Sequence, residues 1–357
     1  MWQIIAGLAL GLGLGYALQR GGFCMNSAFR SLVFEKDRSL IRAWILVLVI
    51  NVVGVNLLTE LGVLTPMIAP LFWPAILVGG FLFGVGMVMA GGCASGTYYR
   101  AGRGMLGSVG ALIGFAVGTA LLDGGGAWIA QASLRAPTIT IDGAEPTLFN
   151  LLGLESAFSR WTLIGLLTLV AIWYLARAPK EMFVLGWGWR RTGFAVGAFA
   201  LAAWVISSFA GRHFGLSFTQ PTVSVTRFLI SGDTSGISIA TWMLLGVPAG
   251  AFAAAKIRGE ARWALPDART LVRQTGAGGL MGAGASIAGG CNIGHSVTGI
   301  ATLSVGSIVA TLAIMLGCWA MTARIYGQAR RSSAAARRTG GELAASGANQ
   351  QSEIRTS

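Results

Sequence analysis

Apolar residues in this chain of 357 residues come in long runs, and charged residues cluster in the short segments between them. An α-helix needs roughly 17 to 25 apolar residues to cross a bilayer. Nine runs approach this length. They cover 2–19, 44–58, 75–91, 105–122, 161–176, 193–210, 237–255, 277–290 and 300–322. The pattern predicts an all-α polytopic membrane protein with about nine transmembrane or broken helices.

The composition supports this prediction. Apolar residues make up 54% of the chain and charged residues only 11%, and the mean hydropathy is +0.68. A soluble domain would carry about 25% charged residues. We therefore expect the chain to be embedded in lipid.

The net charge is +13, and the positions of the basic residues indicate how the chain is oriented in the membrane. If the chain crosses the membrane at each run, four segments rich in Lys and Arg lie on one side. They are 20–42, 177–191, 256–273 and the tail from 324, with five, four, five and six basic residues. By the positive-inside rule, the N-terminus is outside and the C-terminus is cytoplasmic. A nucleic-acid partner is not predicted, because the basic residues are not interleaved with exposed aromatic residues.

One glycine-rich segment occurs twice. The sequence GGFLFGVGMVMAGGCASG (79–96) aligns without gaps on AGGLMGAGASIAGGCNIG (277–294) at an offset of 198. Nine positions are identical, and they include six glycines and one cysteine, Cys93 or Cys291. The charge pattern predicts that the two copies enter the membrane from opposite faces. This combination predicts two inverted-topology repeats whose broken helices meet near the midplane, as in many transporters.

The repeat and the charges together predict the organisation of the chain. Residues 1–158 form the first inverted half, including an external loop at 123–158. Residues 159–192 form a connecting helix and a cytoplasmic link, and residues 193–327 form the second half. Residues 328–357, which are polar and rich in Ser, Ala, Gly and Arg, are predicted to be a disordered cytoplasmic tail.

The predicted spans carry no Asp, Glu or Lys near their middle, so proton relays and acidic cation sites are poorly supported. The helix breaks instead offer thiols, hydroxyls, amides and backbone groups. A helix that begins after a break attracts anions to its N-terminus. A thiol is a weak, uncharged hydrogen-bond donor that suits a soft sulfur atom. The candidate pathway residues are Cys24, Cys93, Cys291, Gly92, Gly290, Ser95, Asn292 and His295.

The cysteines are not predicted to form a metal site, and one of them is predicted to lie outside the pathway. A metal site built from Cys24, Cys93, Cys291 and His295 matches no compact metal-binding motif, so neither a metal nor a cofactor is predicted. Cys318 stands in an ordinary apolar helix and is interpreted as a small buried residue.

At these positions the chain resembles the YeeE/YedE family of bacterial inner-membrane sulfur transporters, whose characterised members take up thiosulfate. The matching motifs are Arg20-Gly-Gly-Phe-Cys24, Ala-Gly-Gly-Cys93 and GLMGAGASIAGGCNIGHS at 279–296. The resemblance implies an hourglass-shaped helical protein in which Cys24, Cys93 and Cys291 relay thiosulfate. It also implies a possible cytoplasmic sulfur-carrier protein as a partner, and some relatives are associated with selenium metabolism.

We therefore expect a multi-pass permease of the bacterial cell inner membrane, with no enzymatic activity, that imports a small sulfur-containing anion. Thiosulfate is the leading candidate for this anion. A competing hypothesis is a membrane sulfurtransferase that forms a cysteine persulfide, which would need an activated thiolate. No cationic partner lies beside Cys93 in the sequence, and only His295 lies near Cys291. The same residues are also compatible with transport of a selenium or different sulfur compound, and with a scaffold protein that conducts nothing.

Overall fold

A computed structural model describes residues 1–35, 37–123, 126–141, 143–178 and 186–328. Within these ranges the chain forms helices joined by loops, and β-type pairing is limited to isolated bridges. The prediction of an all-α protein is confirmed. The predicted disordered tail lies outside the described residues, except for its first residue, which ends the last helix.

The helices are numbered here in chain order over the described residues. They are α1 (Trp2–Gly21), α2 (Met25–Ser31), α3 (Ser39–Glu60), α4 (Trp73–Ala90), α5 (Ala94–Arg103), α6 (Leu106–Asp123), α7 (Trp128–Arg135), α8 (Leu148–Leu151), α9 (Ala157–Ala176), α10 (Trp189–Phe209), α11 (Thr219–Ser231), α12 (Ile239–Ile257), α13 (Ala268–Ala288), α14 (292–301) and α15 (Val305–Gln328). The middle of α14, Gly294–Gly299, is π-helical.

Eight helical stretches of the described residues are long and apolar enough to cross a membrane, and α1 with α2 and α4 with α5 each count as one stretch. The multi-pass architecture is therefore confirmed. The remaining predicted run, 277–290, corresponds to the second half of α13, which ends at Ala288. This helix of 21 residues is not among the eight, since its first half carries Arg269, Arg273 and other polar residues.

Two series of helices have a similar order of lengths. In α3, α4, α5, α6 and in α12, α13, α14, α15, two long helices are followed by a short one and another long one, and the short helix follows the Gly-Gly-Cys segment directly. The pairs α1–α2 and α10–α11 likewise consist of a long helix followed by a shorter one. The orientation of the two series in a membrane stays a prediction.

Helices α4 and α13 cross through glycines and run antiparallel. A Cβ placed on Gly79 would lie 2.5 Å from the backbone nitrogen of Ala288, and one on Gly86 would lie 2.7 Å from that of Met281. The contact thus moves backwards along α13 as it moves forwards along α4. Without side chains in the way, the two backbones touch, which is the usual geometry of close packing between membrane helices.

The outer flanks of this pair are packed in the same way. A Cβ on Gly84 of α4 would collide with the carbonyl of Ile314 in α15, and one on Gly282 of α13 would collide with the carbonyl of Phe115 in α6. The glycines of the repeat therefore hold α6, α13, α4 and α15 together as a row. This row carries both Gly-Gly-Cys segments.

The remaining elements surround this row. Helix α1 packs along α12, and α3 packs along α10. Helix α9 is peripheral, because only Ile164 and Leu175 of its residues are buried. The predicted external loop, 123–158, contains the short helices α7 and α8, and α11 forms in a segment for which no apolar run predicted a helix.

We expect Gly282→Ala to destabilise the protein by about 1–3 kcal/mol, because the new methyl group overpacks the contact with α6. Gly165→Ala is the matched control. Its Cβ would have no neighbour within 4 Å, and alanine favours a helix by up to about 1 kcal/mol over glycine. Thermal unfolding in detergent measures both variants. Equal midpoints for Gly282→Ala and the wild type would contradict this packing.

Candidate functional site

The two Gly-Gly-Cys segments fold alike. The glycine that follows α4, Gly91, has φ of 80°, and the glycine that follows α13, Gly289, has φ of 85°. This left-handed conformation costs a residue with a side chain about 1–2 kcal/mol. Cys93 then forms the N-cap of α5, and Cys291 directly precedes α14. A new helix therefore begins directly after each cysteine.

Cys24 stands in the same kind of break. Helix α1 ends in the left-handed Gly22, and Cys24, two residues later, forms the N-cap of α2. Three times, therefore, a helix stops at a left-handed glycine and restarts behind a cysteine. All three cysteines are free thiols and at most 1% exposed.

The structure brings two of these thiols into contact. The Sγ atoms of Cys24 and Cys93, called here the thiol pair, are 3.7 Å apart. The Sγ of Cys93 also lies 3.4 Å from the Oγ of Ser95 and accepts a hydrogen bond of 3.4 Å from the backbone N–H of Gly96. A Cβ on Gly96 would lie 2.8 Å from the Sγ of Cys24. Position 96 must therefore be glycine for the two helix breaks to meet.

Cys291 belongs to the same buried cluster, but no hydrogen bond within the described residues joins it to the thiol pair. Two neighbouring tyrosines of α5 belong to the surroundings of the three cysteines. Tyr99 is part of the same buried cluster, and Tyr98 packs against it. The hydroxyl of Tyr98 is 2.7 Å from the Oγ1 of Thr222 in α11.

The second glycine of each Gly-Gly-Cys segment makes room for a nitrogen-bearing side chain. A Cβ on Gly92 would lie 3.2 Å from a guanidinium nitrogen of Arg100, and one on Gly290 would lie 3.1 Å from the Nε2 of His295. The predicted pathway residues Gly92 and Gly290 therefore have equivalent roles in the packing. Each lets a donor side chain lie directly against the break.

Arg100 is a residue that the sequence analysis missed. Its guanidinium donates a hydrogen bond to the carbonyl of Gly91, and it lies within electrostatic range of both members of the thiol pair. The charge reaches the thiols because Arg100 lies seven residues after Cys93, two turns along the same helix face. That spacing is the signal that could have revealed it.

Two predicted site residues have buried polar atoms without partners. Neither the Nδ2 nor the Oδ1 of Asn292 makes a hydrogen bond within the described residues, although the side chain is fully buried. His295 places its Nδ1 3.3 Å from the Oγ of Ser307, while its Nε2 makes no hydrogen bond there. A buried amide without a partner costs about 1–3 kcal/mol. Both side chains therefore suit a polar ligand or water.

Cys318 has a packing contact. It lies on α15, and its thiol donates to the Oδ1 of Asn26 in α2 at 3.6 Å. This contact ties the last helix to the helix that begins at Cys24. No three His, Cys, Asp or Glu side chains of the described part of the chain are grouped as a metal site would need.

A cavity of about 820 Å³, called here the vestibule, opens beside the second Gly-Gly-Cys segment. Gly290 and His295 form part of its wall, so it reaches the break that carries Cys291. Arg135 and Arg212 also line it. Burial lowers the pKa of Arg212 to about 10, which leaves it positively charged at neutral pH. The vestibule is thus a cationic chamber that reaches Gly290, the residue before Cys291.

A family model described as sulphur transport matches residues 20–320 of the chain. The match includes all three cysteine breaks and most of the helices. This chain belongs to that family.

Relatives in the family align over nearly the whole chain. A thiosulfate transporter named TsuA from Escherichia coli K12 is 34% identical over 92% of this chain and 96% of its own length. TsuA from Spirochaeta thermophila is 31% identical over 89% of this chain and 98% of its own length. A probable transporter named YedE from Salmonella typhimurium is 37% identical over only 30% of this chain and 26% of its own length. The chain is a transporter rather than an enzyme, as predicted.

Because all four cysteines are buried, we expect N-ethylmaleimide to leave this transporter unmodified in its native state. The folded protein excludes the reagent from the thiols. Intact-protein mass spectrometry after a short exposure should show no adduct, whereas the denatured chain should carry four. Rapid labelling of native protein at the thiol pair would contradict the burial of these breaks.

Proposed function

We propose that this protein is an inner-membrane permease that imports thiosulfate, or a closely related sulfur anion, by relay along Cys291, Cys93 and Cys24. The thiol pair carries the proposal, because two buried sulfur atoms 3.7 Å apart lie where two helix breaks meet. Relatives named thiosulfate transporters, which match about nine-tenths of the chain, support the choice of cargo.

The chemistry of the breaks suits a soft anion in transit. A thiol donates a weak hydrogen bond to the terminal sulfur of thiosulfate without adding a fixed charge. The N-terminus of α5, with its partial positive charge, faces the same place. Conduction needs binding that is favourable enough for entry and weak enough for exit. Neutral sulfur donors meet both needs, whereas a row of cations would trap the anion.

The positions of the cysteines support an order along the path. Cys291 follows Gly290, which lines the vestibule, so it is the first thiol that an entering anion meets. Cys93 and Cys24 come next, in contact with each other. Arg100, held against Gly91, lies beside the last two thiols and attracts the anion onward.

The inverted arrangement of the halves, 1–158 and 193–327, is part of the proposal. The antiparallel contact between α4 and α13 supports it, since these helices carry the two copies of the repeat. The basic segments then lie in the cytoplasm, the N-terminus lies outside, and 159–192 joins the halves through α9. In this orientation the vestibule opens to the outside.

We propose that consumption of the anion in the cytoplasm sets the direction of transport. The middle of the spans offers no acid for coupling to an ion gradient. A cytoplasmic sulfur-carrier protein that consumes the imported sulfur would keep the inner concentration low and draw the anion inwards.

We expect Cys24→Ala, Cys93→Ala and Cys291→Ala each to lower thiosulfate uptake by about tenfold, because each removes a sulfur donor from the path. Uptake of ³⁵S-thiosulfate into proteoliposomes made with the purified protein measures this. Cys318→Ala is the matched control, a buried thiol outside the path that should retain uptake within about twofold. Wild-type rates in all three pathway variants would reject the relay.

We expect Arg100→Gln to raise the KM for thiosulfate by about tenfold, since it removes the positive charge beside the thiol pair. Arg100→Lys should recover part of the loss, because it keeps the charge. Arg103→Gln is the control on the same helix, where the side chain donates to the Glu260 carbonyl instead. Similar KM values for Arg100→Gln and Arg103→Gln would show that Arg100 acts only on structure.

A further inference from the structure

Two arginines of the vestibule are held by backbone carbonyls. Arg135 donates its Nε to the carbonyl of Ile287 at 3.2 Å and a second nitrogen to that of Ser286. Arg212 donates one nitrogen to the carbonyls of Phe214 and Gly215, at 2.5 and 2.7 Å. Carbonyl oxygens orient a guanidinium but do not neutralise its charge.

The positive charge of these two arginines is not balanced by ion pairs. Over the described residues, neither forms a salt bridge with a carboxylate. Asp123 is the acid in the vestibule wall. It acts on Arg135 without forming a salt bridge, and its oxygens accept hydrogen bonds from Gln131 at 3.0 Å and from Ser286 at 2.9 Å. Since two cations face one acid that is already hydrogen-bonded, the chamber has an excess of positive charge.

Both guanidinium groups are fixed in position and have donors to spare. Arg135 lies over the ring of Phe72 at 5.7 Å, and Arg212 lies over the ring of Phe214 at 5.5 Å. Each guanidinium has five N–H donors, of which the carbonyls use a minority. Fixed, unpaired guanidinium groups of this kind bind planar or tetrahedral oxyanions.

The vestibule differs from the thiol pair in the kind of hydrogen-bond donor that it offers. Its two arginines are charged, hard donors that recognise an anion through its oxygen atoms. Among the described residues that line the chamber there is no cysteine, although Gly290, the neighbour of Cys291, is one of them. The wall therefore offers no thiol to an anion with a terminal sulfur, and its arginines attract an anion with oxygen in that place equally.

We propose that Arg135 and Arg212 form an anion-capture site that is separate from the thiols and accepts small divalent oxyanions by charge alone. Sulfate binds there as thiosulfate does, and the thiols behind it then pass only the anion that carries a soft sulfur. Sulfate is accordingly a competitor that occupies the entrance without being transported. The identity of the transported anion rests on the proposed function, whereas the site itself does not.

Two assays on the full-length protein separate these statements. Binding of ³⁵S-sulfate to detergent-purified protein, measured by scintillation proximity at low ionic strength, tests the site directly. Uptake of ³⁵S-thiosulfate and ³⁵S-sulfate into proteoliposomes tests its place in transport. We expect wild-type protein to bind sulfate, to release it when thiosulfate is added, and to transport thiosulfate but not sulfate.

The double variant Arg135→Gln with Arg212→Gln should lose sulfate affinity by about tenfold or more and should raise the KM for thiosulfate in parallel, while the maximal rate stays within about twofold. The corresponding double lysine variant should keep most of the binding, because it keeps both charges. Arg160→Gln is the matched control. Arg160 also donates to a carbonyl, that of Leu154 at 3.2 Å, and lies over Phe149 at 5.9 Å, but it lines a different cavity.

Undiminished sulfate binding by the folded double glutamine variant would overturn the proposal. So would an equal loss in Arg160→Gln, or uptake of sulfate at the rate of thiosulfate. If the wild type binds sulfate at these arginines but takes up no thiosulfate, the proposed function fails and the capture site stands.

Discussion

A helix that ends inside a bilayer leaves carbonyl and N–H groups that lipid cannot satisfy, and the three cysteine breaks are solutions to this constraint. In each, a left-handed glycine turns the chain and a new helix starts three residues later. At the first Gly-Gly-Cys segment the thiol satisfies one of these backbone groups, because the Sγ of Cys93 accepts a hydrogen bond from the N–H of Gly96. The same sulfur atom therefore caps helix α5 and is the proposed donor to the anion.

The glycines of the repeat explain how these breaks are held together. Position 84 and its equivalent, 282, bring α4 onto α15 and α13 onto α6, while α4 and α13 touch through their own glycines. Backbones in direct contact leave little freedom for relative movement. The thiols are therefore carried on a rigid frame, which suits a path that is narrow and does not depend on charged side chains for its shape.

In the proposed path, charged side chains lie at the ends and not in the middle. The arginines near the breaks come from short helices and loops, and they bind the carbonyls of neighbouring turns. This arrangement lets a guanidinium cap backbone carbonyls and still attract an anion. Between the arginines the donors are thiols, hydroxyls and backbone N–H groups. Under the proposed function, charge draws an anion in and these weaker contacts pass it on.

Hydropathy and the repeat, read in the sequence alone, determined the helical class, the number of spans to within one, and the three breaks. They could do so because long apolar runs and left-handed glycines are local requirements of a membrane helix and of a turn. Only the tertiary structure decided that Cys24 touches Cys93, that Arg100 lies beside them, and that Arg135 and Arg212 face one chamber with His295. These contacts join positions far apart in the chain, and their distances depend on how the glycine-bearing helices pack.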